Sequence, residues 1–227
     1  DITDSGNLTI TGAATFITGA TGSNIVLDSS GNAFAAAVTM QADAGDEAFG
    51  NITFVDSAAV KLHSSAGTNG DLFINAGTDL AVGGNLSITA TTGNITQGAA
   101  VAVTGTSSFT TSASNGTITL GETSNAFTGA VSLGTSGYSG NATLVNASGL
   151  DLGASTVGGT LSATATTGDI TDSGNLTITG AATFITGATG SNIVLDSSGN
   201  AFSDAVTMQA DAGDEAFGNI TFVDSAA

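Results

Sequence analysis

Apolar and polar residues alternate with a period of two in many short runs: Leu8-Thr-Ile10, Ile25-Val-Leu27, Val38-Thr-Met40, Ile52-Thr-Phe54, Leu86-Ser-Ile88, Val101-Ala-Val103, Ile118-Thr-Leu120 and Val131-Ser-Leu133. Successive strand side chains point to opposite faces, so each run reads as a short strand with Ile, Val, Leu or Phe inward and mostly Thr or Ser outward. Gly, Asn, Asp and Ser fill the gaps, and these are the residues that tolerate tight turns. No segment carries a useful apolar stripe at 3.6-residue spacing. The pattern predicts an all-β chain with near-zero helix.

The pattern also repeats. Residues 1–59 return as residues 169–227, with only Ala35 and Ala36 replaced by Ser203 and Asp204. A shift of 93 residues superposes Ile2 on Ile95, Phe16 on Phe109, Ile25 on Ile118, Phe34 on Phe127 and Val38 on Val131. A shift of 75 lays Val82–Thr96 on Val157–Thr171. The chain therefore reads as one continuous unit, 1–227, with modules at 1–93 and 94–168 and a partial third copy at 169–227. Such periodicity points to a stacked array in which each unit contacts only its neighbours.

The 18 extra residues of the longer module fall in two places, about three within Gln41–Gly50 and about fifteen after Leu62. If an insertion must be a whole turn to keep later side chains facing inward, the coil is 18–19 residues. That gives about five coils in 1–93 and about four in 94–168. The expected architecture is a parallel β-helix, or β-solenoid. At a strand spacing of about 4.8 Å, nine coils would advance roughly 43 Å per 168 residues. Propeller blades and sandwich domains need longer units or linkers than these runs allow.

Composition narrows the function. With 19 acidic residues against a single Lys, the net charge is −18. Nucleic acid and anionic membrane surfaces are poor partners, because phosphate binding depends on cationic side chains. Apolar content of 41% is too high for a disordered acidic tail. The apolar runs are far shorter than the roughly 20 residues that span a bilayer. No membrane insertion is expected, and any targeting segment is expected outside this stretch. There is no Cys, so no disulfide framework exists.

The segments Asn125-Ala-Phe-Thr-Gly-Ala-Val-Ser-Leu133, Gly116-Thr-Ile-Thr-Leu120 and Thr156-Val-Gly-Gly-Thr-Leu-Ser-Ala-Thr-Ala165 resemble repeats of the filamentous-haemagglutinin-like bacterial adhesins and related type V secreted passenger proteins. The resemblance covers essentially the whole chain. It implies a right-handed parallel β-helix, exported through an outer-membrane pore and displayed as a fibre. Stalk repeats of those proteins carry no catalytic motif, so no functional residue is transferred. The near-verbatim copies here are more alike than is usual in such stalks.

Candidate chemistry is sparse. Asp43, Asp46 and Glu47, repeated as Asp211, Asp214 and Glu215, form an acidic turn whose oxygens could hold Ca²⁺, although it matches neither the EF-hand loop nor the glycine-rich Ca²⁺ repeat. The ordinary reading is a solvated loop. Lys61 and His63 alternate outward from Val60 and Leu62, and a single His without Cys makes no transition-metal or nucleophile site. Pairs such as Thr9-Ile-Thr11 and Thr117-Ile-Thr119 resemble ice-binding Thr arrays but mix with Asn, Ser and Asp, so they read as strand exteriors. Nine Asn-x-Ser/Thr triplets, at Asn7, Asn51, Asn85, Asn94, Asn115, Asn141, Asn146, Asn175 and Asn219, read as turn asparagines rather than glycan acceptors. Two carboxylates on one face could cleave polysaccharide, but basic residues to bind acidic sugars are lacking.

The expected function is non-enzymatic: a stalk segment of a long extracellular fibre or adhesin at a bacterial cell surface, with no cofactor other than Ca²⁺ as a candidate. Its partners would be further copies of the same repeat, laterally associated rods, and a cell-surface or glycan receptor. The alternative is a surface binding module for glycans or Ca²⁺ that mediates adhesion or biofilm cohesion. The expected core positions are Phe16, Ile25, Leu27, Phe34, Val38, Ile52, Phe54, Ile118, Leu120 and Phe127.

Overall fold

The computed structural model describes residues 1–42, 50–62, 71–74, 80–210 and 217–225. Among these residues there are strands, turns and bends and no helix. The chain winds into a parallel β-solenoid. One long face stacks Ile2–Thr3, Ile25–Leu27, Ile52–Asp56, Leu86–Ala90, Ser107–Ser114, Val131–Ser136, Leu150–Leu152, Ile170–Asp172, Ile193–Leu195 and Ile220–Phe222. The opposing face stacks Ala14–Thr18, Val38–Ala42, Asp71–Ile74, Val60–Leu62, Ile95–Gln97, Ile118–Leu120, Ala142–Asn146, Leu161–Ala165, Ala182–Thr186 and Val206–Ala210. Every strand pair is parallel, because each coil returns to the same face in the same direction.

The register fixes the coil length. Ile2 pairs with Ile25, Ile25 with Ile52, Ile52 with Leu86, Leu86 with Ser107, Ser107 with Val131, Val131 with Leu152, and Leu150 with Ile170. Seven steps thus separate Ile2 from its copy Ile170, and the coil is about 24 residues rather than 18–19. At about 4.8 Å per strand, 168 residues advance about 34 Å.

The reason for the difference lies in the long module's extra residues. They build no additional coil. Asp71–Ile74 enters the second face as an extra parallel strand between Val38–Ala42 and Val60–Leu62, with Val38 opposite Leu72 and Leu62 opposite Leu72. The first face meanwhile crosses the same stretch in one step of 34 residues, Ile52 to Leu86.

A second consequence concerns phase. Ile2 and Ile25 lie on the first face, but their equivalents 93 residues on, Ile95 and Ile118, lie on the second. Phe16 and Val38 lie on the second face, and Phe109 and Val131 on the first. Each module therefore spans a half-integral number of coils, three and a half, and only the pair restores the original orientation. Short third strands follow this alternation. Thr9–Ile10 and Ala33–Phe34 connect the first face to the second, whereas Leu80–Val82, Val101–Val103 and Ala126–Phe127 connect the second to the first.

Inside, one continuous apolar column runs the length of the solenoid. Of the expected core residues, Ile25, Leu27, Phe34, Val38, Ile52, Phe54, Ile118, Leu120 and Phe127 are buried. Phe16, in the first coil, is only half-buried, while its equivalents Phe109 and Phe184 are enclosed by coils on both sides. Phenylalanines meet edge to face at the third strands Ala33–Phe34, Ala126–Phe127 and Ala201–Phe202: Phe16 with Phe34 at 6.3 Å, Phe109 with Phe127 at 5.9 Å and Phe184 with Phe202 at 6.1 Å. Burying one such side chain contributes roughly 1.5–3 kcal/mol.

Candidate functional site

The polar groups that organise this fold are side-chain amides and carboxylates at its turns. Asp1, Asn24, Asn51 and Asn85 each precede a first-face strand. Asp1 Oδ1 accepts the Asn24 N–H at 2.7 Å, Asn24 Oδ1 the Asn51 N–H at 2.8 Å, Asn51 Oδ1 the Asn85 N–H at 2.8 Å, and Asn85 Oδ1 the Thr106 N–H at 2.8 Å. The same ladder recurs from Asp169 to Asn192 and on to Asn219. On the second face, Asn94 accepts the Thr117 N–H and Asn141 the Thr160 N–H. A turn amide thereby satisfies the backbone of the next coil.

A buried polar corner lies at the Asn that precedes each of the short third strands Ala33–Phe34, Ala126–Phe127 and Ala201–Phe202. Asn32, Asn125 and Asn200 are fully buried. Asn32 Nδ2 donates to Asp4 Oδ2 at 2.7 Å and Asn32 Oδ1 accepts the Leu8 N–H at 2.8 Å. Asn200 repeats both bonds with Asp172 and Leu176. In the shorter module Asn125 uses Gln97 in place of the carboxylate, at 3.0 Å, and accepts the Val101 N–H at 2.9 Å. On the following coil Asp56 Oδ1 accepts the Phe34 N–H at 3.3 Å, Asp224 Oδ1 the Phe202 N–H at 3.1 Å, and Asn146 Oδ1 the Phe127 N–H at 2.8 Å. The corner is thus Asp–Asn–Asp in the longer module and Gln–Asn–Asn in the shorter.

The two carboxylates of the first corner are tuned in opposite directions. Burial pushes Asp56 above the ordinary aspartate range, against the N–H groups of Phe34, Ala58 and Ser57 that favour its charged form. For Asp4, burial alone would also raise the value, but donors from Asn32, Ser29 and Asp28 outweigh it and hold the carboxyl below its ordinary range. These groups fasten adjacent coils.

The acidic turn residues Asp43, Asp46, Glu47, Asp211, Asp214 and Glu215 lie outside the described residues, as does His63. No group of three or more His, Cys, Asp or Glu side chains able to hold a metal occurs among the described residues. Lys61 is exposed at the centre of Val60–Leu62, and Val60 and Leu62 are buried, as the alternation requires. Asp151, at the centre of Leu150–Leu152, has a buried Oδ1 without a hydrogen bond, as does Ser107 Oγ.

The outward side of the second face carries a hydroxyl column, Thr96, Thr119, Thr143, Ser162, Thr183 and Thr207, in register over successive coils, with Lys61 next in line before Thr96. Thr117 and Thr119 belong to this exterior, flanking and centring Ile118–Leu120. The Asn-x-Ser/Thr asparagines are engaged in structure: Asn51, Asn85, Asn94 and Asn141 in ladders, Asn7 accepting the Gly31 N–H, and Asn146 wholly buried.

One exposed feature escaped the sequence reading. The turn after Val131–Ser136 presents Tyr138 with 90% of its surface in solvent. The signal was available, since Tyr138 is the only Tyr of the chain. The turn is held from the coil below by Asn115, which adopts a left-handed conformation (φ 62°), donates its N–H to Ser136 O at 2.8 Å and accepts the Ser139 N–H on Oδ1 at 3.0 Å. From the coil above, the Gly158 N–H reaches Thr135 Oγ1 at 3.1 Å.

Fold and corners together define a β-solenoid repeat protein whose coils are fastened by turn amides. The chain belongs to a family described as repeats of unknown function (DUF5649), which it matches over residues 1–41, 69–134 and 139–209. No curated protein and no solved structure matches it.

Proposed function

We propose that this chain is a stalk segment of a long extracellular fibre or adhesin on a bacterial cell surface, with a mechanical rather than catalytic role. The observation that carries the reading is the return of phase after seven coils, which lets 168-residue units follow one another without a break in either face or in the core. The Asp4–Asn32–Asp56 corner and its copy at Asp172, Asn200 and Asp224 support it, since the same fastening recurs where the unit begins again. Successive copies of the repeat are the first partners. Lateral association with other rods is favoured on the second face beyond Lys61, where the column from Thr96 to Thr207 is made of hydroxyls.

Cryo-electron microscopy of the native assembly tests the reading. A coil spacing of about 4.8 Å with an axial repeat near 34 Å supports a continuous stalk, whereas separate beads joined by linkers would exclude it. Labelling intact cells with an antibody to the repeat tests the location, and labelling only after lysis would count against surface display.

A further inference from the structure

We propose that Tyr138 and the backbone shelf beside it form a contact site for an uncharged pyranose-based glycan. Ring, shelf and lining chemistry each bear on this. Among the described residues most aromatic side chains stack in the core, Phe217 and Phe222 near the last coil being exposed, whereas Tyr138 places a phenol ring in solvent on a turn tied to the coils on both sides. The ring flanks an open cavity of about 310 Å³ lined by Gly137, Gly158 and Thr179, at the lower end of the roughly 300–1,000 Å³ of ligand sites.

The shelf is flat because side chains are missing from it. Gly158 lies directly on Gly137, so close that a Cβ at 158 would stand 2.6 Å from Gly137 O. The neighbouring track continues the stacking: the Gly159 N–H donates to Gly140 O at 3.0 Å and the Gly180 N–H to Gly159 O at 3.0 Å. This shelf forms where the edge of the solenoid changes profile. Below it a tight turn joins the faces directly, and above it the short strands Ser155–Val157 and Leu176–Ile178 stand between them.

The lining carries an aromatic face, peptide groups and two hydroxyls, those of Tyr138 and Thr179, with no charge. A pyranose ring offers the complement, an apolar C–H face for the ring and hydroxyls at its rim. A net charge of −18 opposes anionic sugars, so the fitting class is neutral.

The test is saturation-transfer NMR of the intact chain against a panel of neutral hexasaccharides: cellohexaose, laminarihexaose, mannohexaose and chitohexaose. Transfer to sugar C–H protons is expected for at least one member. It should persist in Tyr138→Phe, which keeps the ring, and weaken about tenfold in Tyr138→Ala at an unchanged melting temperature. Because Tyr138 is the only Tyr and Trp is absent, saturable quenching of tyrosine emission by the same sugar is an independent readout. No transfer from any member, or equal transfer to Tyr138→Ala, overturns the proposal. So does selective retention of a short aromatic peptide used as the competing probe. None of these outcomes depends on whether the chain is part of a stalk.

Discussion

Asp56 and Asn146 occupy the same place in the two modules: each accepts on Oδ1 the N–H of a buried phenylalanine, Phe34 at 3.3 Å and Phe127 at 2.8 Å. Asn146 also donates from Nδ2 to Phe127 O at 3.0 Å and Gly149 O at 2.8 Å, bonds that an ionised aspartate cannot make. One module thus holds a neutral amide where the other holds a carboxylate that is 3% exposed.

Asp56→Asn is therefore expected to stabilise the fold at neutral pH, by about 1 kcal/mol. The folded-state pKa of Asp56 is raised, so wild-type stability falls as pH rises from the unfolded aspartate value through the folded one. The advantage of the variant should be absent in acid and grow as pH rises from the unfolded aspartate value through the folded one. Thermal melts from pH 3 to 7 measure it, and a variant that melts lower at pH 7 would refute the account.

Asp4 has the opposite sign. Its folded value is lowered, so its contribution is present above the unfolded value and lost as pH falls through the folded one. Asp4→Ala should melt lower than wild type at pH 7 and converge with it in acid. Parallel melting curves at every pH would contradict the assignment.

Removing one rung of the amide ladder should act locally. Asn51→Ala leaves the Asn85 N–H without its acceptor and should cost about 0.5–1.5 kcal/mol. Hydrogen exchange is expected to accelerate at Asn85, with smaller changes at Thr106, whose acceptor Asn85 Oδ1 remains. Uniform acceleration along the chain would argue against a stepwise ladder.

Ile118 is paired with Ile95 below and Ala142 above, and only 1% of its surface is exposed. Ile118→Asp puts an unpaired charge into this column and should cost several kcal/mol. Limited proteolysis is expected to cut near residues 95–142 first. Unchanged melting and protease resistance would overturn the inward assignment.

Much of this fold was legible because strand alternation has only two solutions, and burial chose the one with Ile, Leu and Phe inside. Leu86-Ser-Ile88 and Ile118-Thr-Leu120 illustrate it. Coil length was not legible. A self-comparison reports which residues are equivalent, such as Ile2 and Ile95, but not that they lie on opposite faces. Treating the 18 extra residues as a coil was the natural error, because an added strand in one face preserves inward alternation just as well. The buried corners were missed for a similar reason. Asn32, Asn125 and Asn200 stand among turn residues and read as solvated, yet the third strand folds over them and water is replaced by Asp4, Gln97 and Asp172.

The half-coil offset also constrains how such a gene can change length. Recombination between copies 168 residues apart adds or removes seven whole coils and leaves every downstream side chain on its own side. Misalignment by 93 or 75 would rotate the rest of the rod by half a turn, placing Tyr138 and its successors on the opposite edge. Exchange in the longer frame is the one that conserves the surface, and the near-verbatim match of residues 1–59 with 169–227 is the trace that such exchange would leave.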